Sequence, residues 1–230
     1  MGKLRRIVSS FFRKPVAFDD LGRTEPVSRL FGMDRGEPID RHYIESFLNE
    51  NRRFICGNVL EIAENTYSKA FGSNIKSYGI LHYDHSNKKA TIVGDLTKPE
   101  TLPEEQIDCF ICTQTLNFIF DVHKAIEGSF KLLKTGGCFL CTVSGISQIS
   151  RYDMDRWGDY WRFTDLSIRM LIESVFGKGN VDVFTFGNSL AATAFLKGLA
   201  IDDFPDTKIL DEHDCDYQIT IGVRAIKKKG

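Results

Sequence analysis

Short apolar runs alternate with helix-like segments from about residue 54 to the end of the chain, and this alternation limits the fold more than any other feature. The runs that read as strands are FICGNVLEI, SYGILHYD, ATIVGDL, IDCFICTQT, GCFLCTV, VDVFTFGN and YQITIGVRAIKK. Strands that alternate with helices favour a parallel sheet with helices on both faces. The sequence therefore predicts an α/β fold built on such a sheet.

Three helix-like segments lie between these strands. In the stretch DVHKAIEGSFKLLK the apolar side chains fall on one face, and Lys134 with Gly136 is predicted to end the helix. Thr164 is placed to cap a second helix that runs to Phe176. The apolar stretch SLAATAFLKGLA, between the two last strands, is also predicted to be helical.

The length of the chain allows one domain and an extension. The 230 residues are 42% hydrophobic and 27% charged, which is enough for one core but not for two large domains. We predict that residues 1–53 form a basic arm followed by an extension with a helix beginning near Asp40. Residues 54–230 are predicted to form the α/β domain.

The charge of the chain limits the classes of partner that we expect, and its apolar runs indicate its compartment. A formal net charge of -1 gives no general attraction to nucleic acid. Residues 1–14 (MGKLRRIVSSFFRK) carry basic and apolar side chains without an acid, so they could contact an anionic membrane or a partner protein, or form an ordinary solvated arm. The lack of a secretory or membrane-spanning apolar run predicts a cytoplasmic protein with reduced cysteines.

Two CxxC pairs, Cys109 with Cys112 and Cys138 with Cys141, have a spacing that occurs in zinc sites. Both pairs lie inside apolar runs that read as buried strands, where residues i and i+3 point to opposite faces. Neither pair could therefore hold one ion. We predict that the cysteines are small buried hydrophobic residues and that the protein has no metal site.

Acidic residues close three successive strand-like runs. Glu61 ends the first, Asp84 the second and Asp95 the third. Ligands of open parallel sheets bind at the carboxyl ends of the strands, where carboxylates can accept hydrogen bonds from ribose hydroxyls or an adenine amino group. The acids therefore indicate a nucleotide-like ligand, although each one alone could be solvated or could cap a helix.

The order of these acids, followed by IDCFICTQTL, LLKTGG and a further strand, resembles class I S-adenosylmethionine-dependent methyltransferases over about residues 54–225. LLKTGG is similar to the LLKPGG turn of that family, with Thr135 in place of proline. The resemblance implies a Rossmann-like sheet of seven strands, mostly parallel with the last strand antiparallel, and S-adenosylmethionine as the cofactor. It also implies a set of cofactor-binding positions: Glu61 and Ala63 in the first loop, Asp84 at the ribose, Asp95 and Leu96 at the adenine, and Thr113, Gln114 and Thr115 on the methionine side.

The first loop departs from the family pattern of an acid followed by G-x-G. Here Ala63 and Asn65 stand near the expected glycines; alanine is the smallest substitute, and asparagine tolerates the left-handed conformation. We interpret the loop as modified rather than decayed. The missing G-x-G-x-x-G argues against a nicotinamide-dependent dehydrogenase.

Two segments, residues 31–48 (FGMDRGEPIDRHYIESFL) and 143–164 (VSGISQISRYDMDRWGDYWRFT), resemble a bacterial subgroup of these enzymes. That subgroup occurs beside glycosyltransferases in polysaccharide gene clusters. The resemblance implies O-methylation of a sugar or glycan-linked acceptor in polysaccharide biosynthesis. The alternative is a non-catalytic methyltransferase-like module that binds a glycosyltransferase or another partner through its N-terminal arm.

The segment RWGDYWRFT follows the fifth strand, where an acceptor must lie next to the donor. Tyr160 and Trp161 offer flat faces for a sugar ring, and Arg162 can donate hydrogen bonds to it. A hydroxyl acceptor needs a base, for which Asp159 is the candidate. In the other interpretation, the aromatic residues form a hydrophobic plug and Asp159 pairs with Arg162.

Two further points stay open at this stage. His42 and His123 are the alternatives to Asp159 as the base. The segment RGEPIDRHYIE is interpreted either as a lid over the donor, with Arg35 and Tyr43 facing it, or as a helix packed on the sheet edge. Nucleic acid is a disfavoured acceptor, because the chain has a near-neutral net charge and lacks an (N/D)PPY-type segment for a flipped base.

Overall fold

A computed structural model describes residues 22–229 and contains one seven-stranded sheet. The strands are β1 (Gly57–Ile62), β2 (Ile75–His82), β3 (Ile92–Val93), β4 (Ile107–Thr113), β5 (Leu133–Ser144), β6 (Val181–Phe186) and β7 (Thr220–Ile226). Their order is β3-β2-β1-β4-β5-β7-β6; the pairs among β1 to β5 are parallel, and β7 is antiparallel to both of its neighbours. The predicted fold class is confirmed.

The predicted basic arm, residues 1–14, lies outside the described residues. The division of the chain at residue 53 stays a prediction. Within residues 22–229, no helix has the length and apolar composition needed to cross a lipid bilayer.

Six α-helices surround the sheet in the described part of the chain. They are α1 (Ile39–Glu50), α2 (Thr66–Phe71), α3 (Val122–Leu132), α4 (Arg151–Met154), α5 (Asp165–Phe176) and α6 (Ser189–Leu196). Helix α5 begins as predicted, because the hydroxyl of Thr164 accepts a hydrogen bond from the backbone of Ser167 at 3.2 Å.

The predicted end of α3 is wrong by two residues. The helix ends at Leu132, and Lys134 and Gly136 already belong to β5. The ammonium group of Lys134 lies 2.9 Å from the carboxylate of Asp108 in β4, and the backbone of Gly136 donates to that of Lys227 at 2.6 Å. These contacts with neighbouring strands draw the LLKTGG segment into the sheet.

The two faces of the sheet carry separate cores. Phe110 and Phe139 belong to the core beneath α3 and α5, whereas Val59 and Leu140 pack beneath α1. The cysteines divide in the same way: Cys109 and Cys138 lie on the α1 side, and Cys112 and Cys141 on the other. The predicted separation of each CxxC pair onto opposite faces is confirmed. Burial raises the pKa of the Cys138 thiol to about 12, so this thiol stays protonated at neutral pH.

Helix α1 packs on the face of the sheet rather than on its edge. Phe47 is fully buried, and a Cβ atom at Gly222 of β7 would lie 2.5 Å from its ring, so only glycine fits beneath it. Tyr43 is also buried, and Arg35 pairs with Asp203 at 2.5 Å. These contacts favour the alternative of a packed helix over a lid with Arg35 and Tyr43 facing the donor, which stays a prediction. The apolar side of α1 covers the sheet, and burial of such side chains is worth about 1.5–3 kcal/mol each.

Candidate active site

A cavity of about 430 Å³ opens at the carboxyl ends of the central strands. Its walls come from the loops that follow β1, β4 and β5, the first turn of α1, the extension before α1, and the segment from α4 to Arg162. This edge includes the point between β1 and β4 where the strand order reverses, which is where open α/β sheets bind ligands. The volume is in the range of small-molecule sites.

Glu61 supports the loop that follows β1. Its side chain is buried and accepts hydrogen bonds from the backbone N–H groups of Ser68 at 2.7 Å and Tyr67 at 3.1 Å. Burial raises the pKa of Glu61, while the hydrogen bonds from Ser68 and Tyr67 act in the opposite direction. The carboxylate therefore ties the end of β1 to the first turn of α2. Direct contact with the cofactor stays a prediction.

Ala63 takes over the conformational role of a glycine in this loop. Its φ is 64°, in the left-handed region, whereas Asn65 has an ordinary φ of -126°. The side-chain amide of Asn87 donates to the carbonyl of Ala63 at 2.7 Å and fixes this turn. The left-handed conformation costs an L-residue about 1–2 kcal/mol. The modified loop thus keeps its turn at the expense of backbone strain.

We expect Ala63→Gly to raise the free energy of unfolding by about 0.5–1 kcal/mol, because relief of the left-handed strain exceeds the added chain entropy. Ala70→Gly, in the exposed part of α2, is the control and should lower that free energy by about 1 kcal/mol. Urea denaturation of both variants measures the two effects. Destabilisation by both changes would show that Ala63 is not left-handed in solution.

Asp84, which follows β2, and Asp95, which follows β3, remain ionised. The pKa of Asp84 falls to about 2, because its carboxylate accepts hydrogen bonds from Ser86 and, more weakly, from its neighbours. Burial alone would raise the pKa of Asp95, but hydrogen bonds from Thr97 and the charge of Lys98 outweigh it, so the pKa lies below its ordinary value. Both carboxylates lie beyond the lining of the cavity, towards the open edge of the sheet.

A polar network follows β4 and β5. Gln114, with a φ of 47°, accepts hydrogen bonds through Oε1 from Ser144 at 2.7 Å and from Asn117 at 3.0 Å. Its Nε2 atom is buried and has no hydrogen-bond partner among the described residues. An unpaired buried donor costs about 1–3 kcal/mol. An acceptor atom of a ligand would remove this cost.

The remaining residues predicted on the cofactor side differ in whether they line the cavity. Thr113 lines the cavity together with Gln114. Thr115 donates its hydroxyl to the carbonyl of Thr113 at 3.0 Å and lies outside the lining. Leu96 is buried in the core beneath α3, and a Cβ atom at Gly128 would lie 2.2 Å from its carbonyl oxygen.

The first turn of α1 contributes a carboxylate that the sequence analysis did not single out. Asp40 lines the cavity, and burial raises its pKa from 3.8 to about 6. Arg41 beside it, Glu64 of the first loop and Tyr67 line the same wall. Burial raises the pKa of Tyr67 to about 12. The segment GEPID was noted in the sequence, but only the packing of α1 brings its first turn to the cavity.

Asp159 is bound to Arg162. Its carboxylate, with a side chain only 1% exposed, accepts hydrogen bonds from the guanidinium at 2.6 and 2.8 Å and from the backbone of Ser150 at 2.9 Å. Burial alone would raise the pKa of Asp159, but these contacts outweigh it and the pKa lies below its ordinary value. A carboxylate held in this way is a weak base. The geometry therefore favours the alternative in which Asp159 and Arg162 form a pair.

The aromatic residues of this segment face outward. Tyr160 and Trp161 pack against Phe120, with ring centroids 5.5 and 6.0 Å apart, and are 47% and 38% exposed. They lie beside the cavity rather than in its lining, and they form neither its wall nor a buried plug. Arg162 alone of the three predicted substrate-binding residues lines the cavity.

The two histidines considered as bases are both elsewhere. His42 lies 3.0 Å from the carboxylate of Asp211, on a side of α1 outside the cavity lining. His123 lies 3.5 Å from Glu127 on α3, also outside the lining. Their positions do not support a catalytic role at this cavity.

The sheet order and the acids at its carboxyl edge define the fold. Five strands pair in parallel, the last strand is inserted antiparallel, and acids stand at the ends of β1 and β2 and just after β3. This is the Rossmann-like methyltransferase fold. Residues 56–141 match the family model described as a methyltransferase domain.

Solved structures with the same fold have low sequence identity to this chain. A chain of the complex between the Haloferax volcanii Trm112 methyltransferase activator and a putative methyltransferase is 15% identical, with a TM-score of 0.53; the match covers 83% of this chain and 92% of that one. A SAM-dependent methyltransferase from Archaeoglobus fulgidus is 11% identical, with a TM-score of 0.52 and coverages of 81% and 94%. A possible exported protein from Bordetella parapertussis is 11% identical, with a TM-score of 0.53 and coverages of 98% and 79%.

No curated protein matches the sequence. The solved structures show the fold, and the family model adds the methyltransferase domain. Together, the match of residues 56–141 and the shared fold support a methyltransferase that uses S-adenosylmethionine. The unpaired amide of Gln114 and the ionised carboxylates of Asp84 and Asp95 fit that cofactor, which offers acceptor atoms on its methionine part and donors on its ribose and adenine.

Proposed function

We propose that this protein transfers a methyl group to a hydroxyl of a sugar or glycan-linked acceptor, in the cytoplasm and in the context of polysaccharide biosynthesis. The observation that carries the proposal is the cavity at the carboxyl edge, with a carboxyl whose pKa is raised to about 6 at Asp40 and an unpaired amide at Gln114. The exposed rings of Tyr160 and Trp161 beside the mouth support a sugar, because flat aromatic faces stack on sugar rings.

The residues of this chain would hold the cofactor from both sides of the first loop. Asp84 would accept the ribose hydroxyls and Asp95 the adenine amino group, while Gln114 would donate to the methionine part. Arg41, whose guanidinium has no hydrogen bond or ion pair within the described residues, would pair with the carboxylate. When bound, S-adenosylmethionine supplies an electrophilic methyl group on a sulfonium, which an aligned oxygen can attack in line.

Asp40 replaces Asp159 as the proposed base. Its carboxylate lines the cavity and is free of side-chain hydrogen bonds in the described structure, whereas that of Asp159 is occupied by Arg162. With a pKa of about 6, Asp40 is ionised at pH 7.5 and can still accept a proton. The pair of Asp159 and Arg162 then positions the segment that closes the cavity.

Calorimetric titration with S-adenosylmethionine tests the proposed cofactor contacts. We expect the wild type to bind and Asp95→Ala to lose at least about tenfold in affinity, or 1.4 kcal/mol. Asp182→Ala is the control, because Asp182 is an exposed acid on β6 that pairs with Arg224. Cofactor at about a hundred times its dissociation constant should also raise stability by about 2.7 kcal/mol.

The alternative function, a non-catalytic module that binds a glycosyltransferase or another partner, is favoured by one observation. The side chain of Ala63 is exposed in the loop where the family has a glycine. A folded wild type that does not bind S-adenosylmethionine would support this alternative. Binding that Asp95→Ala abolishes and Asp182→Ala leaves intact would exclude it.

A further inference from the structure

Two arginines that line the cavity have no partner within the described residues. Arg29 precedes α1 in the extension, and Arg151 is the first residue of α4; both line the cavity and are exposed. In the part of the chain that the structure describes, neither guanidinium has a hydrogen bond or an ion pair. Arg162, on the same wall, is fully engaged with Asp159.

The loop that follows β5 holds both arginines in place. The side-chain amide of Gln148 donates to the carbonyl of Arg29 at 3.1 Å. Ser150, at the other end of the same loop, caps α4, where its Oγ accepts from the backbone of Asp153. The backbones of Arg29 and Arg151 are thus attached to one loop, and both residues line the same cavity.

Within the described residues, the acids near the mouth form no ion pair with either arginine. Asp159 is paired with Arg162, and Asp153 accepts a hydrogen bond from the hydroxyl of Ser150 at 2.5 Å. Next to the two arginines, Leu30 and Tyr152 also line the cavity and are 55% and 63% exposed. The mouth therefore offers two unpaired cations beside two apolar surfaces.

We propose that Arg29 and Arg151 bind a phosphate group of the acceptor, so that the substrate is a phosphorylated or phosphate-linked sugar. This inference rests on the proposed methyl transfer in the same cavity. Guanidinium groups match phosphate oxygens in pairs of hydrogen bonds, and two of them balance a dianionic phosphate. The single carboxylate of the cofactor leaves both free, because Arg41, beside them in the lining, is the residue proposed to pair with it. Leu30 and Tyr152 would contact the apolar part of the acceptor.

The test uses the full chain saturated with S-adenosylhomocysteine and titrated with glucose 1-phosphate, inorganic phosphate or glucose. We expect the two phosphates to bind and glucose to bind much more weakly, with an affinity for phosphate that falls as salt is added. The double variant Arg29→Gln with Arg151→Gln should lose at least tenfold in affinity for the phosphates.

Arg156→Gln is the matched control. The guanidinium of Arg156 lies 3.5 Å from the centre of the Tyr152 ring and donates to the carbonyl of Tyr152 at 2.7 Å, outside the cavity lining. This variant should bind the phosphates as the wild type does. An equal loss in both variants would indicate a general charge effect and would overturn the proposal.

A second arm distinguishes a soluble phosphate from a lipid-linked one. Sedimentation with phosphatidylcholine vesicles, with and without phosphatidic acid, should show association that requires phosphatidic acid and is lost in the double variant if the source is a lipid. Binding of neither soluble phosphate nor phosphatidic acid, or binding of the soluble phosphates that the double variant retains, overturns the proposal.

Titration with S-adenosylmethionine separates this inference from the proposed function. The double variant should bind the cofactor as the wild type does, because Arg29 and Arg151 lie on the acceptor side. Cofactor binding without phosphate binding would contradict only the phosphate site. Phosphate binding without cofactor binding would contradict the proposed methyl transfer.

Discussion

Replacing Glu61 by alanine is expected to lower the free energy of unfolding by about 3 kcal/mol and to remove binding of S-adenosylmethionine. The carboxylate is 3% exposed and accepts hydrogen bonds from the backbones of Tyr67 and Ser68. Its removal leaves the buried amide of Ser68 and the partly buried amide of Tyr67 without partners, and a buried amide without a partner costs about 1–3 kcal/mol. The first loop would then lose its attachment to α2. Urea denaturation and calorimetric titration measure the two effects.

Two further variants make this result interpretable. Glu61→Gln keeps the shape but has only one acceptor oxygen for the two amides, so it should cost about 1–2 kcal/mol. Glu64→Ala, three residues along in the exposed loop that follows β1, should change stability by less than about 0.5 kcal/mol. If Glu61→Ala were no more destabilising than Glu64→Ala, the carboxylate would not hold the loop in solution.

Asp40→Asn is expected to stabilise the protein above pH 7. The pKa of Asp40 is about 6 in the folded protein and 3.8 ordinarily. A carboxyl group with a raised pKa in the folded state opposes folding once the pH exceeds that pKa, because the unfolded chain releases its proton more readily. The variant should therefore gain about 2–3 kcal/mol at pH 7.5, and little at pH 3.5, where the carboxyl is largely protonated in both states.

The same carboxyl should govern the rate of methyl transfer. With an acceptor that binds, the wild-type rate should fall as the pH drops below about 6, because protonated Asp40 cannot accept the hydroxyl proton. Asp40→Asn should lose activity at every pH and retain its affinity for S-adenosylmethionine. Asp159→Asn is the control: it should weaken stability and leave the shape of the pH profile unchanged. An active Asp40→Asn variant would exclude Asp40 as the base.

The sequence by itself determined the fold through local patterns. The apolar runs at residues 107–113 and 138–143 could only be buried strands, and the opposite faces of Cys109 and Cys112 followed from the two-residue period of a strand. Thr164 marked the start of α5, because a cap depends only on the residues within the next turn. Such features are encoded within a few residues, so they can be read before any tertiary contact is known.

The tertiary structure alone decided which side chains form the site. Asp40, Gln114 and Arg151 are far apart in the sequence and meet only because α1 packs across the strands whose carboxyl ends carry the loops. The raised pKa of Asp40 is a consequence of its burial, and the lowered pKa of Asp159 follows from its contact with Arg162. Burial and long-range pairing depend on the packing of the whole chain, which no local pattern specifies.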